Sequence, residues 1–140
     1  MPFNFDFNKN NSKWLQTKNG IRFDQKGQII SKGSTYGLYQ KLTKGDGLTL
    51  EVLIKTYNIV QNGPARILSY SRDFSLRNFT LAQSKDKLVM RLRTDETDSN
   101  GITPHVEVSG LFEANKTYHI VMTYNFEREC IFIKGYRYWT

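Results

Sequence analysis

The length and composition of the chain indicate one globular domain. Its 140 residues are 39% hydrophobic and 14% aromatic, which supplies a core and excludes a disordered chain. The net charge of +7 suits an anionic partner, but the basic residues are scattered, so a solvated surface is the simplest interpretation. A single cysteine excludes an internal disulfide, and we find no apolar run typical of a membrane span or a signal peptide.

Alternation of apolar and polar residues predicts short β-strands along the whole chain. In chain order, weak strands are predicted near 3–7, 21–23 and 29–30, followed by strands at 48–55, 65–71, 77–83, 87–94, 106–108, 117–124 and 129–134. Glycine-containing turns such as Asn19-Gly20 and Asn62-Gly63 separate them. No helical period of useful length occurs. The pattern predicts an all-β antiparallel sandwich or barrel, with one domain over 1–140.

The inward side of this alternation defines a predicted core between two sheets. It comprises Leu50, Val52, Ile67, Phe79, Leu81, Leu88, Met90, Leu92, Ile120, Met122 and Phe132. Cys130 alternates with Phe132, so we predict that its thiol is buried and unreactive.

Several segments stand in an order that is similar to a known family. The chain contains Gly63-Pro64-Ala65-Arg66-Ile67-Leu68-Ser69, then Arg77-Asn78-Phe79-Thr80-Leu81, then Leu88-Val89-Met90-Arg91-Leu92-Arg93-Thr94, and later Tyr118-His119-Ile120-Val121-Met122-Thr123-Tyr124-Asn125 and Ile131-Phe132-Ile133-Lys134-Gly135. This order resembles bacterial concanavalin A-like domains of the laminin-G superfamily, from about Phe3 to Gly135.

The resemblance implies an antiparallel jelly-roll β-sandwich that binds a carbohydrate, or a protein or glycan partner, through a concave face or a rim of loops. Similar domains are sometimes appended to multi-pass membrane proteins of the VanZ-like type. We therefore expect an extracytoplasmic or cell-surface location.

The end of the chain departs from that family. Similar domains continue beyond the hairpin strand at 131–135 with two or three further strands, whereas 136–140 suffice for one short strand. We expect a jelly roll that lacks its last strands, with an open sheet edge that meets a protein partner or a second copy. Pairing of the N-terminal strand with 136–139, and a further C-terminal segment, are the alternatives.

Nothing in the sequence indicates catalysis. Glycosidases of this superfamily place two carboxylates on one strand face. Glu127 and Glu129 are the nearest pair, and they flank Arg128 at a predicted turn. We therefore expect a binding domain and no enzyme.

Arginines and polar residues near strand ends form the candidate ligand site, which comprises Tyr57, Asn62, Arg66, Tyr70, Arg77, Arg91 and Arg93. Alternation places Arg91 and Arg93 on one face. Arginine binds carboxylate or sulfate bidentately and stacks on sugar rings, and tyrosine offers a stacking surface. These residues predict a site for an acidic or neutral glycan. The alternative is that the arginines pair with Asp73, Asp95 or Asp98 and fix loops.

A polar loop at 95–101 is the candidate metal site. Asp95, Asp98 and Asn100 offer the oxygen ligands that Ca²⁺ prefers, although their spacing is not that of an EF-hand. A polar turn without metal is the alternative.

The leading hypothesis for function is a non-catalytic domain that binds a carbohydrate or glycoconjugate. The runner-up is a structural or protein–protein interaction module, an accessory subunit with the same fold. Nucleic acid is a weaker hypothesis, because the aromatic-rich motif of RNA-binding domains is missing.

Overall fold

The structure, a computed structural model, describes residues 5–6, 14–17, 20–23, 26–103, 105–125, 128–133 and 136–139. Side chains are described for those of these residues that lie between 20 and 125. The chain divides into two compact units, Met1–Gly45 and Asp46–Thr140, which are described separately. The expectation of one domain over 1–140 stays a prediction.

The first unit contains two small strand pairs and a helix. Strand β1 (Phe5–Asp6) pairs antiparallel with β4 (Ile30–Ser31), and β2 (Trp14–Thr17) pairs antiparallel with β3 (Gly20–Phe23). Asn19 of the predicted Asn19-Gly20 turn lies outside the described residues. β1 thus pairs within the N-terminal segment.

Helix α1 (Tyr36–Lys44) follows β4, and the expectation of no helix is wrong here. Its first turn begins where the carbonyl of Thr35 accepts the backbone N–H groups of Leu38 and Tyr39. Lys41 and Lys44 lie in the last turn, where positive charge is favourable to the helix dipole. The helix spans nine residues, so it offers too few repeats for a period to stand out in the sequence. No helix of the described residues has the length and apolar character that a membrane span requires.

The second unit contains two four-stranded antiparallel sheets. Its strands are β5 (Gly47–Lys55), β6 (Ala65–Ser71), β7 (Arg77–Ser84), β8 (Lys87–Leu92), β9 (Val106–Val108), β10 (Thr117–Asn125), β11 (Arg128–Ile133) and β12 (Tyr136–Trp139). The first sheet has the order β12-β11-β10-β5 and the second β6-β7-β8-β9. The all-β class is confirmed, whereas the jelly-roll connection of the strands stays a prediction. The last residues form one short strand, and it pairs with β11.

Both sheets of the second unit contribute to its core. The buried members of the predicted core are Leu50, Phe79, Leu81, Leu88, Met90, Ile120 and Met122. Val52, Ile67 and Leu92 are half-buried. The side chain of Phe132 lies outside the described residues. Alternation along each strand was therefore sufficient to find most of the interior.

The pairing register of β10 and β11 shows which residues of β11 lie opposite the buried residues of β10. Cys130 and Phe132 were predicted to face the core. Ile120 and Met122 are buried, and their partners on β11 are Ile133 and Ile131. Phe132 is paired with Val121, and Cys130 with Thr123. The burial of the Cys130 thiol lies outside the described side chains, so its inertness stays a prediction.

Phe112 and Gln83 connect elements of the two sheets. The backbone N–H of Phe112, in the loop after β9, donates to the carbonyl of Asp86 at the β7–β8 turn. Its ring meets Tyr118 of β10 edge-on, with ring centroids 5.2 Å apart. Gln83 of β7 donates from Nε2 to the carbonyl of Asn58, in the loop after β5, at 3.0 Å. These contacts fix the loops that flank both sheets.

Candidate functional site

One face of the second sheet carries most of the arginines that the sequence singled out. Arg66 of β6 lies opposite Ala82 of β7, and Arg91 of β8 lies opposite Thr80 of β7. Because Ala82 and Thr80 are two residues apart, they share a face of β7, and Arg66 and Arg91 therefore lie on that same face. Phe79 and Leu81 occupy the opposite face.

Arg77, the first residue of β7, lies within electrostatic range of both. The pKa of Arg77 is lowered from its ordinary value, first because the guanidinium is partly buried and then because the charges of Arg66 and Arg91 repel it. The residue of β7 opposite Arg66 is Ala82, which is five positions along the strand from Arg77. At the rise of a β-strand, Ala82 and Arg77 lie roughly 16 Å apart along β7. We call Arg66, Arg77 and Arg91 the arginine cluster.

Two of these guanidinium groups have unsatisfied donors. The Nε atoms of Arg77 and Arg91 are buried, and neither has a hydrogen-bond acceptor among the described residues. A buried donor without an acceptor costs about 1–3 kcal/mol. Arg66, by contrast, is exposed. The cluster therefore contains one exposed arginine and two half-buried arginines, each with one buried Nε donor that lacks an acceptor.

Two of the three carboxylates that could pair with these arginines, Asp73 and Asp98, accept backbone hydrogen bonds in their own loops. Asp73 Oδ1 accepts the backbone N–H groups of Ser75 and Leu76 at 2.7 and 2.8 Å. It still raises the pKa of Arg77, although by less than the effects that lower it. Among the side chains described in 20–103 and 105–125, the ion pairs are Lys87–Glu107 at 2.6 Å and His119–Glu51 at 2.7 Å. Glu107 thus pairs with Lys87, on the same face, and not with the cluster.

A pair of hydroxyl groups lies between the arginines. Ser69 Oγ donates to the carbonyl of Phe79 at 3.1 Å and lies 3.0 Å from Thr80 Oγ1. A serine hydroxyl has one proton, so Thr80 must be the donor in the second bond. Both protons are therefore used internally, and Thr80 is 1% exposed. The described part of this face therefore offers a ligand the guanidinium groups and the exposed ammonium of Lys87 as donors.

The other predicted ligand residues lie away from the cluster. Tyr70 is opposite Phe79 on the other face of the sheet, and the two rings are 6.1 Å apart. Tyr57 follows β5, and Lys55 Nζ lies 5.5 Å from its ring centroid. Asn62 is exposed in the turn before β6. Arg93 follows β8, is exposed, and is not among the charges that act on Arg77.

The candidate calcium loop is held together by its own backbone. Asp98 accepts N–H groups from Asn100 and Ile102 at Oδ1 and from Thr103 at Oδ2. The hydrogen bonds from Ile102 and Asn100 are the largest causes that lower the pKa of Asp98. Asp95 is exposed, and Asn100 Oδ1 is buried without a donor.

No group of three or more His, Cys, Asp or Glu side chains that could hold a metal ion occurs in the described part of the chain. Both Asp98 oxygens already accept backbone protons. The geometry accounts for Asp98 as the residue that organises this loop, and calcium binding by Asp95, Asp98 and Asn100 stays a prediction.

The Ser69–Thr80 pair and the Lys87–Glu107 ion pair were not predicted from the sequence. Alternation along β8 already places Lys87 and Arg91 on one face, together with Val89. Their neighbours on β7 and β9 depend on strand pairing, which the sequence does not reveal.

Comparison of the chain with protein-family models, with curated proteins and with solved structures found no match. The function is therefore argued from the arrangement of residues alone.

Proposed function

We propose that this protein is a non-catalytic binding domain whose ligand is a carbohydrate or glycoconjugate, bound at the arginine cluster. The observation that carries the proposal is the placement of Arg66 and Arg91 on one face of the second sheet, with Arg77 at the start of the strand between them. The charges of Arg66 and Arg91 repel that of Arg77 more strongly than Asp73 attracts it. A ligand that accepts hydrogen bonds from arginine would reduce this repulsion.

The non-catalytic part of the proposal rests on the chemistry of the same face. Its described polar groups include guanidinium cations, the Ser69 and Thr80 hydroxyls and the Lys87–Glu107 pair, with Glu107 as the carboxylate on these strands. Hydrolysis of a glycosidic bond needs a general acid and a second carboxylate about 5–9 Å apart. Glu107 alone cannot supply both, so binding is the better-supported function.

A glycan array followed by titration calorimetry of the best ligand tests the proposal. The test variant is R66Q/R91Q, which removes two cations on the outer strands of the cluster. The matched control is K55Q/K116Q, which removes the same charge at exposed positions on and beside the other sheet of the second unit. We expect a loss of affinity of about tenfold or more in the test variant, equivalent to about 1.4 kcal/mol, and little change in the control.

Two results would contradict the proposal. Equal loss in both variants would mean that net charge, rather than this site, governs binding. Absence of any glycan ligand at millimolar concentration would favour the alternative, a structural or protein–protein interaction module. Circular dichroism of each variant shows whether the fold is retained.

A further inference from the structure

We infer that the free edge of β5 is a self-association surface, at which a second copy of this chain pairs its own β5 antiparallel to give one continuous sheet. The surface is separate from the arginine cluster, because β5 belongs to the first sheet and the cluster to the second. It also differs from the edge expected from the sequence, which adjoined the N-terminal strand.

β5 is the longest and most regular of the four strands that end the two four-stranded sheets. The other three are β12, β6 and β9. β9 has three residues and β12 has four, whereas β5 has nine. The pairing of β6 shifts between Arg66 and Leu68 and again after Tyr70, and such irregularities make an edge a poor template. β5 pairs with β10 over all nine residues without a shift, so its other side is the edge best suited to accept a further strand.

The backbone groups of the odd-numbered residues of β5 face this free edge. Directly after the strand, the N–H of Thr56 donates to the carbonyl of Lys116, and the carbonyl of Thr56 accepts the N–H of Asn115. Thr56 therefore directs both groups toward the side of β10. Because this direction alternates along an antiparallel strand, the odd-numbered residues direct theirs away from β10. In the middle of the strand these are Glu51, Leu53 and Lys55.

The exposed side chains of β5 are complementary to those of a second β5. Leu53 is 73% exposed, and Glu51 and Lys55 flank it on the same face, both exposed. When Leu53 lies opposite Leu53 of the other copy, Glu51 of each copy lies opposite Lys55 of the other. This pairing would cover an exposed leucine and form two cross-strand pairs of opposite charge, which are favourable.

Neighbouring registers lack this complementarity. Pairing centred on Glu51 would place two carboxylates opposite each other, which is unfavourable. Pairing centred on Val52 or Ile54 would place Leu53 opposite a charged residue. In the register centred on Leu53, by contrast, Val52 lies opposite Ile54 of the other copy, and both are half-buried in the single chain. The apolar side of the sheet would continue across the interface, so the partner that fits this edge is the same strand.

Glu51 and Lys55 are available for these contacts. His119 Nε2 lies 2.7 Å from Oε1 of Glu51, which leaves Oε2 for Lys55 of the other copy. Lys55 Nζ lies 5.5 Å from the ring centroid of Tyr57, and no ion pair joins Lys55 to Glu51 within the chain. The two residues are four positions apart on the strand, roughly 13 Å, with Leu53 between them. An attraction between them therefore has to act between copies.

Sedimentation equilibrium of the full chain at increasing concentration tests the association. We expect a reversible monomer–dimer equilibrium with a dissociation constant in the micromolar range, typical of a small interface. Larger species should not form, because two-fold pairing uses the β5 edge of both copies. Hydrogen exchange at the N–H groups of Glu51, Leu53 and Lys55 should slow as the concentration rises. A chain that stays monomeric at millimolar concentration, or that forms larger oligomers, would overturn the inference.

Charge reversal tests the register. E51K places two ammonium groups opposite each other at both ends of the pairing, and K55E places two carboxylates there. The two variants change the net charge in opposite directions, yet we expect each to weaken the dimer about tenfold or more. E51K/K55E restores opposite charges and should recover the affinity to within about threefold. Weakening without recovery in the double variant would refute the register.

L53K and F74K provide a matched pair at exposed apolar residues. Leu53 is 73% and Phe74 is 77% exposed, but Phe74 lies in the turn between β6 and β7 of the second sheet. L53K brings two ammonium groups together at the centre of the pairing and should weaken the dimer about tenfold or more, whereas F74K should stay within about twofold. Equal effects would place the interface elsewhere. Circular dichroism of each variant shows whether the fold is retained.

Discussion

Replacement of Gly101 by alanine should destabilise the second unit through the loop that connects β8 to β9. Gly101 is buried and has φ of +61°, a region that costs a residue with a Cβ about 1–2 kcal/mol. An added Cβ would also lie 2.6 Å from the backbone carbon and oxygen of Leu92 and 2.8 Å from its nitrogen. These are strand atoms of β8, so they cannot move aside as a flexible side chain would.

The expected cost follows from these two effects. Overpacking against a fixed neighbour costs about 1–3 kcal/mol, so G101A should lose about 2–5 kcal/mol in the free energy of unfolding once the backbone strain is included. That is a large fraction of the total stability of a typical domain, about 5–15 kcal/mol. The loop cannot simply lift, because Thr97 Oγ1 donates to the carbonyl of Leu92 at 3.0 Å.

Urea unfolding monitored by circular dichroism measures this cost, and G110A is the matched control. Gly110 has φ of +69°, and nothing lies within 4 Å of an added Cβ. G110A should therefore show only the backbone strain of about 1–2 kcal/mol. If G101A is no less stable than G110A, the close approach of this loop to Leu92 is wrong.

Three further predictions concern the core and the charged groups. L81A should lower the free energy of unfolding in urea by about 2–5 kcal/mol, because Leu81 is 0% exposed. The control L53A, at a site 73% exposed, should change it little. Similar losses in both variants would refute the assigned core. Hydrogen bonds lower the pKa of Asp98, so its stabilising effect is present above the ordinary carboxylate pKa, about 4, and is lost as the pH falls through the folded value. The stability of D98N should therefore fall less on acidification than that of the unaltered protein, and parallel curves would contradict this. Lys87 lowers the pKa of Glu107, so K87M should raise that pKa toward its ordinary value in an NMR titration, and an unchanged value would mean that the ion pair does not form in solution.

The sequence predicted the strands well because the period-two signal is local. Each strand alternates along its own length, so β5, β7 and β10 could be found without knowledge of their neighbours. The same alternation placed Arg91 on the face opposite Met90 and Leu92. Helix α1 was missed because nine residues show too little of a helical period.

The candidate site was predicted only in part. Arg66, Arg77 and Arg91 lie on adjacent strands, whereas Tyr57, Asn62 and Arg93 lie outside these strands and Tyr70 lies on the other face. Ligand binding by any of them stays a prediction. Tyr70 is the clearest case, because its strand position was predicted and its face was not. The register shift in the β6–β7 pairing between Arg66 and Leu68 moves every later residue of β6 to the other face, and no local pattern announces it.

By itself, the sequence determined the all-β class, the strand positions and most of the core, since these follow from alternation within one strand. Tertiary structure decided which strands pair and in what register. Pairing aligned Ile131 and Ile133, not Cys130 and Phe132, with the buried side of β10. It also placed three arginines on adjacent strands, while Asp73 and Asp98 accept backbone N–H groups in their own loops. These outcomes depend on hydrogen bonds between segments distant along the chain, which composition and periodicity do not encode.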